Sequence, residues 1–271
     1  VLQRAARRFV IHLKKGKISA MKVIVTGSAQ GIGLGILELF LAEGHDVAAV
    51  DPAYGESSFG ADRAHREHRF AVDVSDDGAV TAMVEDAARA MQGIDVLINN
   101  AGIGGIRKPI AEYSNEEWRI VHAVNLDGPF FFIRAALPHL RQSKQPSIIN
   151  VVTTSVKTGL PLRTPYVTSK AALLAMTHTL ARELGPEGIR CNAILPGAIE
   201  NERGDNLLRA RAERMGVSFE EAKKYRLGFV SMRTRMRPKD LAEMALFLSS
   251  SKAERVTGQA ISVDGNVEWE D

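Results

Sequence analysis

The stretch that most restricts the fold of this chain is Thr26 to Gly33, T-G-S-A-Q-G-I-G, set between the apolar run Val23-Ile24-Val25 and the apolar segment Leu34 to Leu41. It reads as strand, glycine turn and helix. A tight turn between a buried strand and a helix needs positions without a Cβ, and the helix it opens presents unpaired backbone N–H groups that suit a phosphate. Gly27, Gly31 and Gly33 meet that need, and Ser28 and Ile32 belong to the same cradle. The spacing G-x-x-x-G-x-G departs from the G-x-G-x-x-G dinucleotide fingerprint while using the same physics. Alone, it is also compatible with an ordinary glycine-rich turn.

Downstream, apolar runs alternate with helical patterns. Strands are predicted at Asp46 to Asp51, Phe70 to Val74, Ile94 to Ile98, Ile148 to Val152, Ile189 to Leu195 and Ala260 to Val263. Helices are predicted over Asp76 to Met91, about Asn115 to Gln142, Thr164 to Leu184 and from Pro238 onward, whereas Tyr54 to Arg69 is polar with a weak helical pattern. A serine three residues before a glutamate, at Ser114 and again at Ser218, marks two helix starts. Such alternation implies a parallel sheet covered on both faces. The expected fold is α/β, a doubly wound Rossmann-type sheet of about seven parallel strands in three layers, α/β/α. A chain of 271 residues fits one such domain, expected over 21–271, with residues 1–20 outside it and 198–237 inserted as a substrate lid.

Residues 1–20 hold Arg4, Arg7, Arg8, Lys14, Lys15 and Lys17 and no acid, so the net charge of +3 comes from them and the remainder is mildly acidic. Such a leader reads as a transit peptide or, preferably, as residues upstream of a natural start at Met21. A basic stripe with aromatic partners is missing from the body, which argues against nucleic acid. No run approaches 18 uninterrupted apolar residues, and Gly128 to Leu140 carries Arg134, so a membrane partner is not expected. The single cysteine, Cys191, excludes an intrachain disulfide and a cysteine-based metal site; it reads as a buried small residue in a cytoplasmic protein without metal.

Asp51 closes the second strand eighteen residues after Gly33. A carboxylate there can accept hydrogen bonds from both ribose hydroxyls of an adenosine and would repel a 2′-phosphate, which favours NAD over NADP.

Five features now coincide in order: T-G-S-A-Q-G-I-G at Thr26, Asp73-Val74, N-N-A-G at Asn99, Tyr166-x-x-x-Lys170 and P-G at Pro196. Together they resemble the short-chain dehydrogenase/reductase family, over Met21 to about Glu268. The resemblance implies a seven-stranded parallel sheet in a single-domain oxidoreductase that dimerises or tetramerises through the helices at Asn115 and Pro165. It also implies that Asp73 bonds the adenine and Asn99 supports the ribose side. Val74, Ala101, Gly102, Pro196, Gly197 and the backbone of Ile199 would complete the cofactor site.

Hydride transfer to or from a secondary alcohol also moves a proton, so a general acid–base must reach the oxygen. Tyr166 fits that role once its phenolate is stabilised. Lys170, four residues on and on the same helix face, can stabilise it and hold the ribose. At about 4 Å and an effective dielectric near 20 the charge is worth roughly 4 kcal/mol, up to about three pKa units. By the resemblance, Asn125 links a water to the lysine in a proton relay. Where the family places a substrate-orienting serine, this chain offers Thr153 first, Thr154 second and Ser155 third. A threonine expected after Pro196-Gly197 is missing, leaving Asn201 or the Ile199 backbone for the nicotinamide amide. From Glu200 to Arg237, ten Lys or Arg face six acids, which reads either as a lid preferring anionic groups or as a solvated helix face.

The expected function is an NAD-dependent oxidoreductase acting on a secondary alcohol or its ketone. An NADPH-dependent 3-oxoacyl-carrier-protein reductase type is the alternative enzyme, and a non-catalytic nucleotide-sensing protein of the same fold is the alternative of another class.

Overall fold

A computed structural model describes residues 20–55, 58–62 and 66–267; the basic leader, apart from Ala20, lies outside them. Its strands are β1 (Lys22–Thr26), β2 (Asp46–Val50), β3 (Ser58–Asp62), β4 (Glu67–Phe70), β5 (Val96–Asn99), β6 (Ser147–Val151), β7 (Arg190–Pro196) and β8 (Ala260–Val263). Its helices are α1 (Gly31–Ala42), α2 (Asp77–Met91), α3 (Asn115–His122), α4 (Gly128–Leu140), α5 (Ser155–Thr158), α6 (Thr164–Leu184), α7 (Glu202–Met215), α8 (Phe219–Leu227) and α9 (Pro238–Ser249).

Side chains alternate across each strand, so β1, buried from Val23 to Thr26, feeds two cores. Val23 and Val25 join Ile36 and Phe40 of α1 and Leu248 of α9 on one face. Ile24 joins Val80 of α2, Phe132 of α4 and Leu184 of α6 on the other. The sheet runs in the order β3-β4-β2-β1-β5-β6-β7-β8, and all pairings are parallel except β3 with β4. The seven parallel strands are therefore present, with an antiparallel strand added at one edge.

That edge lies in the stretch read as weakly helical. Pro52–Tyr54 is a single 3-10 turn, followed by β3 and β4. The strand predicted at Phe70 to Val74 sits earlier and ends at Phe70. Asp73 explains the stop: its Oδ1 accepts from the Ser75 N–H (2.9 Å) and hydroxyl (2.7 Å), closing a turn that leaves Val72 and Val74 beyond the ladder.

Ser114 and Ser218 both form reciprocal capping boxes, with Glu117 and Glu221. The helix begun at Ser114 is continuous to Leu140 and, at 26 residues, is long and apolar enough by length and composition to cross a bilayer. In this fold its inner face, Val121, Phe132, Ile133, Ala136 and Leu140, is buried. It is not uniformly α-helical: Ala123–Asp127 forms a π turn, with the Gly128 N–H reaching back to the Ala123 carbonyl.

Candidate functional site

Strand order reverses about β1, whose neighbours β2 and β5 continue the chain in opposite directions, and in open α/β sheets it is at such a point, outside the strands' carboxyl ends, that the ligand crevice lies. The glycine turn fills one wall. Gly27 has φ +66°, and a Cβ on it would stand 2.8 Å from the Ala101 Cα; a Cβ on Gly33 would overlap the Gly27 carbonyl. The turn is held by a residue that the sequence reading passed over within N-N-A-G. Asn100 donates from Nδ2 to the Thr26 (2.9 Å) and Gly27 (3.0 Å) carbonyls, while the Asn100 and Ala101 N–H groups donate to Thr26 Oγ1.

Helix α1 starts at Gly31 with no side-chain cap from Gln30 and no acid in its first turn. A Cβ on Gly31 would meet only the Asn201 Nδ2, at 3.4 Å. Unpaired N–H groups and open space are what a pyrophosphate requires, so these residues fit a dinucleotide. Asn201 also caps α7, its Oδ1 accepting from the Gly204 N–H at 2.7 Å. Its carboxamide thus spans the glycine turn and α7.

Asp51 lies at the tip of β2, half-buried, with Oδ2 accepting from the Ala29 N–H (3.1 Å) and Oδ1 from the Ala53 N–H (3.0 Å). Ser28 is fully buried: its hydroxyl donates to the Val50 carbonyl and lies 3.0 Å from the Tyr54 hydroxyl. Burial raises the Tyr54 pKa, opposed by its bond to Ser28. Asn99 also turns inward, donating to Asn150 Oδ1 at 2.9 Å, and Asn150 donates in turn to Thr177. Their side chains brace the turn and the sheet, the supporting place expected of Asn99. Val74 is buried against Gly128, where a Cβ would stand 3.0 Å from the Val74 carbonyl.

Across the crevice, α6 carries Tyr166 and Lys170 one turn apart. Lys170 is only 3% exposed, with Nζ donating to the Val151 carbonyl at 2.8 Å. A Cβ on Gly102 would come within 3.2 Å of that Nζ and 3.1 Å of Asn125 Oδ1, so three predicted residues converge. Asn125 is fully buried in the π turn; it accepts from the Ile103 N–H and donates to the Ile103 carbonyl and the Ser169 hydroxyl. Four residues on stands Pro129, which has no N–H, so the Asn125 carbonyl lacks its α-helical donor.

At the end of β6, the three candidate hydroxyls separate. Thr154 donates to the Pro196 carbonyl (3.2 Å) and is tied to β7. Thr153 and Ser155 lie together, their hydroxyls 3.3 Å apart. The pair that can face a substrate is thus Thr153 with Ser155.

Beyond Pro196 and Gly197, the chain makes a short parallel bridge between Ile199 and Met236, using the Ala198 carbonyl and the Glu200 N–H. The peptide groups of Ile199 itself point away from Met236. Between those ends lie α7 and α8, tied down by Arg235 to Asp205 at 2.6 Å. Among the described residues no cluster of His, Cys, Asp or Glu could hold a metal ion.

A family profile described as enoyl-(acyl carrier protein) reductase matches residues 27–267. The chain is 33% identical to the L-2,3-butanediol dehydrogenase of Corynebacterium glutamicum, covering 90% of this chain and 97% of that one. It is also 33% identical to a 3-oxoacyl-[acyl-carrier-protein] reductase of Chlamydia pneumoniae, covering 92% and 97%. Among solved structures, ligand-free aldohexose dehydrogenase of Thermoplasma acidophilum superposes with a TM-score of 0.79 at 29% identity, covering 91% and 93%.

Proposed function

The chain belongs to the short-chain dehydrogenase/reductase family of nicotinamide-dependent oxidoreductases, and from that premise we propose that it exchanges a hydride between NAD and a secondary alcohol or its ketone. The observation that carries this reading is the convergence of the buried Lys170 ammonium with Gly102 and Asn125, one helical turn from Tyr166. The bound nicotinamide would supply the hydride acceptor or donor. Everything else falls to this chain. Tyr166 Oη gives or takes the alcohol proton, and Lys170 stabilises the phenolate by its charge. Thr153, with Ser155 beside it, orients the reacting oxygen by hydrogen bonding. The names of the butanediol and aldohexose dehydrogenases agree with a hydroxyl-bearing substrate.

Tyr166→Phe tests the chemistry: turnover with NAD on an alcohol substrate falls by about 10²–10⁴-fold, while the Kd for NADH changes little. Full turnover by that variant refutes the assignment. The choice of NAD rests on Asp51 and is tested separately. NADH binds at least tenfold tighter than NADPH in fluorescence titration, and Asp51→Ser narrows the gap. Similarity to the 3-oxoacyl reductase supports a second reading, NADPH-linked ketone reduction, which a tighter NADPH complex would favour.

A further inference from the structure

Four arginines from three segments lie within electrostatic reach of one another. Arg107 follows β5, Arg211 and Arg214 lie on α7, and Arg226 lies on α8. Arg107 Nη2 points to the Pro161 carbonyl (3.4 Å) in the segment leading into α6. The same two loops are fastened by Arg163 to the Gly104 carbonyl (2.6 Å) and by the Tyr113 hydroxyl to the Leu162 carbonyl (3.1 Å). Because Asn125 holds Ile103 and Arg163 lies three residues before Tyr166, this rim continues directly from the catalytic residues.

The cluster is not a solvated helix face. Other basic residues of the segment have acids: Arg235 pairs with Asp205 (2.6 Å) and Arg237 with Asp240 (2.7 Å). Arg107 and Arg211 make no ion pair among the described residues, and the Nε of each is buried without a hydrogen-bond partner. Arg211 instead lies over the Tyr225 ring, 5.0 Å from its centroid. Burial lowers the Arg107 pKa and the Arg214 and Arg211 charges lower it further; burial and then Arg211 do the same for Arg226. Holding the partly buried Arg107 and Arg211 near one another is unfavourable without an anion between them, and guanidinium forks match carboxylate and phosphate oxygens.

We propose that Arg107, Arg211 and Arg214 form the anion subsite of the substrate pocket, so that the alcohol or ketone carries a carboxylate or a phosphate. This rests on the dehydrogenase reading and specifies its substrate class.

The test uses NAD-saturated full-length protein, so that the glycine turn is already filled. One arm compares kcat/KM for 3-hydroxybutyrate with its methyl ester, and a second compares glycerol 3-phosphate with glycerol. A turnover-free arm follows the melting temperature with malonate or inorganic phosphate. In at least one pair the anionic member is preferred tenfold or more, and the preference falls at least tenfold in Arg107→Gln and Arg211→Gln. Arg214→Gln, altering an exposed side chain, lowers it without disturbing the fold. Equal or better use of the neutral members, with anion binding unchanged in all three variants, overturns the subsite and leaves the dehydrogenase reading standing. Arginine-dependent anion binding without oxidation of any alcohol sustains the subsite and defeats that reading.

Discussion

Asn99 and Asn100 are neighbours in sequence and opposites in use. Successive side chains of a strand point to opposite faces, so one carboxamide enters the sheet toward Asn150 and the other clamps the glycine turn. The motif was legible; which asparagine did which was not, because strand phase depends on pairing. Tyr166 and Lys170 were easier, since their spacing fixes a common helix face, while Thr154 was set aside only by the Pro196 carbonyl lying across from it. Gly33 supplies a sharp test. Gly33→Ala would drive a Cβ into the Gly27 carbonyl, and it is expected to weaken NADH binding at least tenfold and to lower stability by about 1–3 kcal/mol, read by titration and urea unfolding. Cys191 gives another: burial pushes its thiol up to about 12, so iodoacetamide at pH 8 leaves the native protein unmodified and labels it only in denaturant.

At the scale of elements, the α1–α9 contact and the π turn show what sequence patterns reveal and conceal. The glycine turn announced one helix and Pro238 the other, but neither revealed that Gly35 lets them touch: a Cβ there would stand 2.8 Å from the Pro238 Cβ. Similarly, the pattern from Asn115 predicted one helix without its π turn, although Pro129 carried the signal by removing a donor. Pro129→Ala restores that N–H, favours a regular α-helix and shifts Asn125 from Ile103 and Ser169. Steady-state kinetics should show kcat reduced tenfold or more, while thermal melting shows no loss of stability. The β4 error has a different cause. Glu-His-Arg-Phe is a poor strand by hydropathy, yet Glu67 and His68 are buried, with Glu67 satisfied by Arg69 at 2.7 Å. Hydrophobicity points to the wrong residues when polar ones occupy the ladder.

Across the whole molecule, burial lowers the pKa of His45 and of His68 below the ordinary 6.5. His45 Nδ1 accepts the Met21 N–H at 3.1 Å, which only an unprotonated nitrogen can do. Below about pH 6.5 the unfolded chain takes up protons that the folded chain does not, so stability is complete above that pH and falls as acid is added. The melting temperature should drop between pH 7.5 and 5.5, and by less in His45→Gln. The outer face from Asn115 to Leu140 leaves Trp118, Ile120 and Phe130 exposed, and we propose that this helix and α6 pair copies of the chain. Phe130→Asp should shift the sedimentation coefficient toward the monomer.

The Ile199–Met236 bridge has a consequence for how such an enzyme diversifies. Both ends of the excursion are pinned side by side next to β7, so the neck is closed whatever lies beyond it. A segment of different length or charge can replace α7 and α8 at little entropic cost, since closure varies only with the logarithm of length. Under the proposed function, exchanging α7 and α8 alters the arginine subsite while leaving the Tyr166–Lys170 pair in place.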